Sequence, residues 1–226
     1  MLGFTTPNMH KPFLELLIAG NHAECSALIQ DFVNNRITIT ELYENIIKKA
    51  LYDIGEMWEY NKISVATEHL ASSIVEALLT QLYDKVISEN KIGKIAIIAC
   101  TENEMHQIGI KMVGDVFEMN GWDVYFLGAN TSTTELVAYA KTMKPDILAI
   151  SISIYFHLPV FESMVKTIRE TFPNLTIIVG GQAFLHGGQE ILSKYKHVIY
   201  KPDLESIDLY IKNLNQKQNG QKLIIG

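Results

Sequence analysis

The sequence predicts a mixed α/β chain: an N-terminal four-helix bundle followed by a flavodoxin-like (Rossmann-like) domain built on a five-stranded parallel sheet. Three observations predict it. Apolar residues recur every three or four positions from about residue 9 to 90, the period of a helix face. Beyond Glu89-Asn90-Lys91, short runs that are apolar throughout take over, and such runs read as strands buried on both faces of a parallel sheet. Helical segments separate those runs, the β-α alternation of a doubly wound fold. The expected boundaries are 9–90 for the bundle, 93–215 for the sheet domain and 216–226 for a polar tail.

In the first half, two short helices are expected near 11–19 and 22–34, separated by Gly20-Asn21. Ile39, Leu42, Ile46, Ala50 and Ile54 step along one face of a third. Leu70, Ile74, Leu78, Leu82 and Val86 do so on a fourth. Thr40 and Ser64 are the expected N-caps of these two, because a hydroxyl accepts from an orphan backbone N–H. In the second half the strands are 94–99, 123–127, 146–151 and 175–179, with a weaker fifth near 197–200. Helices are expected near 106–120, 132–143, 159–171, 184–194 and 203–214. The simplest strand order for such units is 2-1-3-4-5.

Composition narrows the function. The chain has 226 residues, 48% of them hydrophobic, enough for packed cores. With 19 basic and 25 acidic residues the net charge is −6, and no run of basic residues offers a nucleic-acid surface. Cys25 and Cys100 are too few for a cysteine-held zinc site and fall in different elements, so no disulfide framework is expected. Two thiols suit the cytoplasm. The start lacks the pattern of a signal peptide, and no apolar run is long enough for a transmembrane helix.

In an open α/β sheet, ligands bind beyond the carboxyl ends of the strands, at the switch point between strands 1 and 3. Three stretches fall there: Glu104-Met105-His106-Gln107-Ile108-Gly109, then Ser151-Ile152-Ser153, then Gly180-Gly181. Small and polar residues at three neighbouring strand ends are expected to line a deep slot for a slender ligand. His106 has the chemistry of a metal ligand or general base, with Glu104 as the acid that holds its other ring nitrogen. Singly, each has an ordinary reading as a cap, a turn or a solvated loop residue. In the first half, Trp58 ends the third helix and Glu68-His69 open the fourth, so the turn between them brings all three to one end of the bundle.

Glu-x-His-x-x-Gly resembles the Asp-x-His-x-x-Gly signature of cobalamin-binding domains, in which a Ser-x-Leu or Ser-x-Thr and then a Gly-Gly pair follow. Here 41 residues separate Gly109 from Ser151 and 26 separate Ser153 from Gly180. The chain departs from that pattern at Glu104, in place of Asp, and at Ser153, in place of Leu or Thr. The resemblance implies that His106 is the metal ligand on the lower face of cobalt. It also implies that the dimethylbenzimidazole tail is buried past Gly109, Ser151 and Gly180, with Gln107, Ile108, Ser153 and Gly181 alongside. Trp58, nine residues, then Glu68-His69, within Ser-Val-Ala-x-Glu-His-x-Ala-Ser, resembles the helical cap of CarH-type light-sensing regulators. In that family the Trp and Glu pack against the 5′-deoxyadenosyl group, which carries Trp58 and Glu68 to that role, with Val65 and His69 nearby. Some of those sensors have a His directly after the Trp; this chain has Glu59.

The resemblance thus implies an adenosylcobalamin-binding, light-responsive sensor that is not an enzyme. It is expected to lack the regulators' winged-helix DNA-binding domain. It would make no direct contact with nucleic acid or membrane, and would signal as a homo-oligomer or through a partner protein. The alternative is the corrinoid carrier subunit of a methyltransferase system, with methylcobalamin as cofactor. An adenosylcobalamin mutase needs a substrate-enclosing barrel that this chain is not expected to have. A flavodoxin-like domain without ligand leaves His106, Gly109, Ser151 and Gly180 unexplained.

Overall fold

A computed structural model describes residues 8–35 and 37–222. The chain divides into two compact units, Met1–Val86 and Ile87–Gly226, at a point slightly upstream of the change in hydrophobic period.

The first unit is helical. α1 (Lys11–Ile18) and α2 (His22–Asn34) are joined through Gly20, whose φ of +71° needs glycine. α3 (Ile39–Leu42), a π-helical stretch at Tyr43–Ile47 and α4 (Lys48–Glu59) follow one another as successive segments of the third helix. The cap of α3 is Thr38, not Thr40 as expected. The Thr38 hydroxyl accepts from Glu41 N while Glu41 returns a bond to Thr38 N, a reciprocal capping box that Thr40 has no acidic partner to make. α5 (Val65–Gln81) is capped by Ser64, as the sequence predicts, and α6 (Tyr83–Val86) ends the unit. The core includes Phe13, Leu17, Ile29, Tyr43, Ile46 and Val75. Leu70, expected on the buried face of α5, is about half exposed. A strict four-residue series overshoots each helical turn by about 40°, so by the first turn the buried stripe has passed to Ala71 and Val75. Leu70 instead lies against the Gly20 turn, 2.9 Å from the position a Cβ would take there.

The second unit is a doubly wound α/β domain. Its elements are β1 (Ile95–Cys100), α7 (Ile108–Met119), β2 (Asp123–Gly128), α8 (Thr133–Met143), β3 (Ile147–Ser151), α9 (Leu158–Thr171), β4 (Thr176–Gly180), α10 (Gln189–Lys194), β5 (Val198–Tyr200) and α11 (Leu204–Lys222). All four strand pairings are parallel and the order is β2-β1-β3-β4-β5, as the sequence predicts. β1 and β3 are the most deeply buried strands, which is why their sequences are apolar on both faces.

Three helices differ from expectation. α7 starts at Ile108, so His106 and Gln107 belong to the preceding loop. The stretch expected as one helix over 184–194 is a 3₁₀ turn at Gln182–Leu185, a break, and then α10; Gly187 and Gly188 have φ of +147° and +90° and cannot continue a right-handed helix. α11 continues to Lys222, through the start of the expected tail. Asn215 fastens it, accepting from Trp122 Nε1 at 3.2 Å and donating to Asn120 O at 3.1 Å. Residues 223–226 of the expected tail lie outside the described residues. No helix among the described residues is long and apolar enough to cross a membrane.

Candidate functional site

β1 and β3 lie side by side with their carboxyl ends level, Cys100 opposite Ser151. Thr101 N extends that ladder to Ser151 O at 3.1 Å, and the chain then turns through Glu104 N to Thr101 O at 3.0 Å. This turn drives the Glu104 side chain inward, where it is 0% exposed. Glu104 Oε1 accepts from His106 N at 3.0 Å and lies 2.5 Å from His106 Nδ1. Glu104 Oε2 accepts from Ser153 N at 2.8 Å and Ile154 N at 3.0 Å, with His157 Nδ1 at 3.3 Å. Burial alone would raise the Glu104 carboxyl, but the His106 ring and the amides of Ile154, His106 and Ser153 outweigh it and hold it at about 2. Glu104 is therefore ionised and can only accept, so the His106 ring proton sits on Nδ1. That leaves Nε2 as the basic nitrogen of a ring that is 59% exposed, and a carboxylate on the other ring nitrogen is what orients a metal-ligating imidazole. Burial, and then the charge of Glu104, push the Cys100 thiol up to about 12, so it stays protonated and donates to His106 O at 3.5 Å.

The remaining motif residues separate into roles. Gln107 turns toward the end of β2, its Oε1 accepting from Ala129 N at 3.2 Å. Ile108 opens α7 and is half-buried. Gly109 sits in the first turn of α7 with nothing within 4 Å of where a Cβ would stand. Ser151 is 7% exposed and is the register partner of Gly180. Ser153 contributes its amide to Glu104. At Gly181 (φ +111°) a Cβ would meet Ile152 O at 2.1 Å, and at Gly180 it would meet Lys201 O at 2.9 Å. The pair thus permits close backbone approach, where the sequence predicts the wall of a slot. The turn at Gln182–Leu185 folds back over β3, Ala183 N donating to Ile152 O at 3.2 Å. A cavity of about 130 Å³ lies at the opposite edge of the sheet, lined by Lys94, Asp146, Thr176 and Tyr210 among others.

Two features escaped the sequence reading. One is His157, the further imidazole on Glu104. The other is a rim of exposed apolar side chains on the loops after β1, β3 and β4: Met105, Ile154, Tyr155, Phe156 (83% exposed) and Leu185. Solvated loops rarely carry so many large apolar residues together, and such a rim marks a surface for an apolar ligand or partner. Tyr155-Phe156 directly after a strand was the available signal.

In the helical unit, Trp58 at the end of α4 is 49% exposed and is not part of the core. Tyr60, Val65 and Leu70 are exposed at the same end, around the α4–α5 turn. Glu68 accepts from Ser72 Oγ at 2.9 Å, with His69 Nε2 3.6 Å away. His69 is largely exposed.

These residues fit a cobalt corrin. Among the described residues no group of three or more His, Cys, Asp or Glu side chains is arranged to hold a metal ion, so a metal at His106 would need its other ligands from a macrocycle. The Glu104–His106 pair supplies one oriented imidazole, suited to a transition metal; the rim suits an apolar ring, and open space stands at Gly109. Two family models match: one described as a B12 binding domain over residues 94–202, and a second, also described as a B12 binding domain, over residues 9–83. The chain is a B12-binding-domain protein. Its cofactor is a cobalamin or related corrinoid. Among relatives of B12-binding-domain proteins, it is 30% identical over 120 residues to the HTH-type transcriptional repressor CarA of Myxococcus xanthus, covering 53% of this chain and 41% of that one. It is 27% identical over 143 residues to the repressor CarH of the same organism, covering 62% and 47%. The chain therefore spans under half the length of these repressors. The monomethylamine corrinoid protein of Methanosarcina barkeri shares the fold, with a TM-score of 0.78 at 13% identity over 92% of this chain and 99% of that one.

Proposed function

We propose that this cobalamin-binding chain is an adenosylcobalamin sensor, responsive to light, which signals through its own assembly or a partner protein. In this reading Nε2 of His106 would ligate cobalt, and Gly109, Ser151, Ser153, Gly180 and Gly181 would accommodate the nucleotide tail. Gln107 and Ile108 hold the loop. Trp58, Val65, Glu68 and His69 would meet the adenosyl group. Trp58 is the observation that carries it: an indole half exposed at a helix end offers a flat apolar face to a nucleoside, and the nearby Glu68 carboxylate can accept from its polar edge. The likeness to CarA and CarH supports the same reading. Bound adenosylcobalamin supplies a cobalt–carbon bond that light can break. Loss of the adenosyl group would remove its contact with Trp58 and shift the state that the helical unit favours, a ligand-biased equilibrium. The chain does not itself catalyse a reaction.

The second reading is a corrinoid carrier in a methyltransferase system, with methylcobalamin in place of the adenosyl form. The fold shared over nearly the full length of the monomethylamine corrinoid protein favours it. Purified protein loaded in the dark with adenosylcobalamin or methylcobalamin separates the two. A sensor changes both visible spectrum and oligomeric state on green illumination of the adenosyl form. Adenosyl-loaded protein whose assembly ignores light overturns the sensor reading, and methyl transfer to a corrinoid-dependent methyltransferase would then establish the carrier.

A further inference from the structure

The loop that carries His106 runs between β1 and α7 and is gripped from a second side, by the connection between β2 and α8. A register shift in the β1–β2 ladder prepares this. Ile98 pairs with Phe126, yet the next residue, Ala99, pairs with Gly128. The extra residue on β2 is a bulge, a device that re-aims the end of a strand, and it brings Ala129 and Asn130 beside the loop after β1. Asn130 then holds that loop at two points. Its N–H donates to Glu104 O at 2.8 Å, and its Oδ1 accepts from Asn103 N at 3.0 Å. Asn130 (φ +49°) and Asn103 (φ +69°) both lie in the left-handed region, which asparagine enters more readily than most residues with a Cβ. Two further ties flank this pair. Glu102 Oε2 accepts from Thr133 N at 3.2 Å and from Thr133 Oγ1 at 3.0 Å, and Gln107 Oε1 accepts from Ala129 N.

We propose that Asn130 is a positioning residue for the cobalt ligand: by holding the backbone of Asn103 and Glu104 it fixes the loop from which Glu104 and His106 project. The inference rests on the reading of His106 as that ligand. The Glu104 carboxylate is secured at its tip by the amides of Ser153 and Ile154. A side chain held at its tip orients a neighbouring ring only if the main chain at its root is held too. Glu104 N is tied to Thr101 O within the loop, and Asn130 N holds Glu104 O on the other flank. The Oδ1 bond to Asn103 N extends that hold to the residue before. A metal-ligating imidazole depends on its hydrogen-bonded carboxylate for orientation, so a displacement of Glu104 reaches the cobalt ligand directly. One net hydrogen bond changes an equilibrium by roughly 2–10-fold. Asn130 is exposed to water, which places the effect in the lower half of that range.

The test uses the full chain, labelled with ¹⁵N-histidine and loaded with cob(II)alamin. Electron paramagnetic resonance at one fixed pH gives the ratio of imidazole-ligated to unligated cobalt, since ¹⁵N changes the superhyperfine pattern only when a protein histidine is bound. The ratio is taken within the bound cobalamin, so a general loss of stability does not move it. Asn130→Gly keeps the left-handed backbone and its N–H and removes Oδ1; the ratio should fall by about 2–5-fold. Asn130→Asp keeps an accepting oxygen for Asn103 N and should stay within about 1.5-fold of wild type. Asn130→Ala repeats the glycine comparison should that variant fold poorly. A wild-type ratio in the glycine or alanine variant overturns the proposal, as does an aspartate variant that falls as far as glycine. Wild-type protein without any ¹⁵N effect overturns the reading of His106 and this inference with it, and so is distinct from the failure of Asn130 alone.

Discussion

Glu104 and His106 are two residues apart and differ fully in environment: the carboxylate has no exposed surface, while the imidazole it binds at 2.5 Å is mostly open to solvent. A buried charge is stable only when its donors surround it. Glu104→Gln keeps the shape, loses the charge and turns an amide N–H toward groups that are themselves donors. Urea denaturation of the cofactor-free chain should show a loss of about 2–4 kcal/mol. The imidazole-bound spectrum of the loaded protein should disappear with it.

Gly109 allows stability and binding to be separated. A Cβ there has no other atom of the protein within 4 Å, and leucine is a better helix former than glycine by roughly 0.8 kcal/mol. Gly109→Leu should leave the melting temperature of the cofactor-free chain equal or slightly raised. Cobalamin affinity, measured by spectral titration, should fall about 10-fold or more, the scale of 1–3 kcal/mol for inserting bulk into a fitted site.

Gly181→Ala should behave in the opposite way. Its φ of +111° and the 2.1 Å approach of Ile152 O leave no room for a methyl group. The cofactor-free chain itself should lose about 2 kcal/mol or more, seen as a lower urea midpoint.

Trp58→Ala removes a half-exposed side chain, so thermal melts should move by less than about 1 kcal/mol of stability. Affinity for adenosylcobalamin should drop roughly 10-fold relative to hydroxocobalamin, the worth of about 1.4 kcal/mol of aromatic packing. Equal losses for the two cobalamins would remove Trp58 from the adenosyl contact.

Asp53 on α4 gives the helical unit an acid-sensitive clasp. Burial pushes its carboxyl up, but Lys11 at 2.8 Å and His10 at 3.0 Å outweigh it and hold it below its ordinary value. A carboxyl lowered on folding adds stability above its unfolded pKa of ~3.9, and that stability is lost as pH falls through the folded value. Urea midpoints of wild type should therefore decline more steeply below about pH 4 than those of Asp53→Asn.

Much of the fold is written in nearest-neighbour pattern. A helical period runs from about residue 9 to 90, continuous apolar runs mark β1 to β4, and the alternation of strands with helices points to the doubly wound strand order. Glu104 and His106 were legible because both lie on one short loop. The elements that depart from the sequence pattern have a different cause. Thr38 caps α3 in place of Thr40 because Glu41 accepts from Thr38 N in return. The end of α11 depends on Asn215 meeting Trp122, a contact between distant segments.

From sequence alone, the periodicities pointed to two kinds of domain, and the alternation of strands with helices put Glu104, His106, Ser151 and Gly180 at the carboxyl ends of parallel strands, since hydrophobic period is a local property of the chain. Only the tertiary structure decided that Glu104 is buried and ionised, that His157 shares its charge, that Gly181 serves close packing, and that Trp58 faces solvent. Each of those depends on which strand and helix ends meet across long stretches of chain, and burial and hydrogen bonding there are set by the partners that arrive.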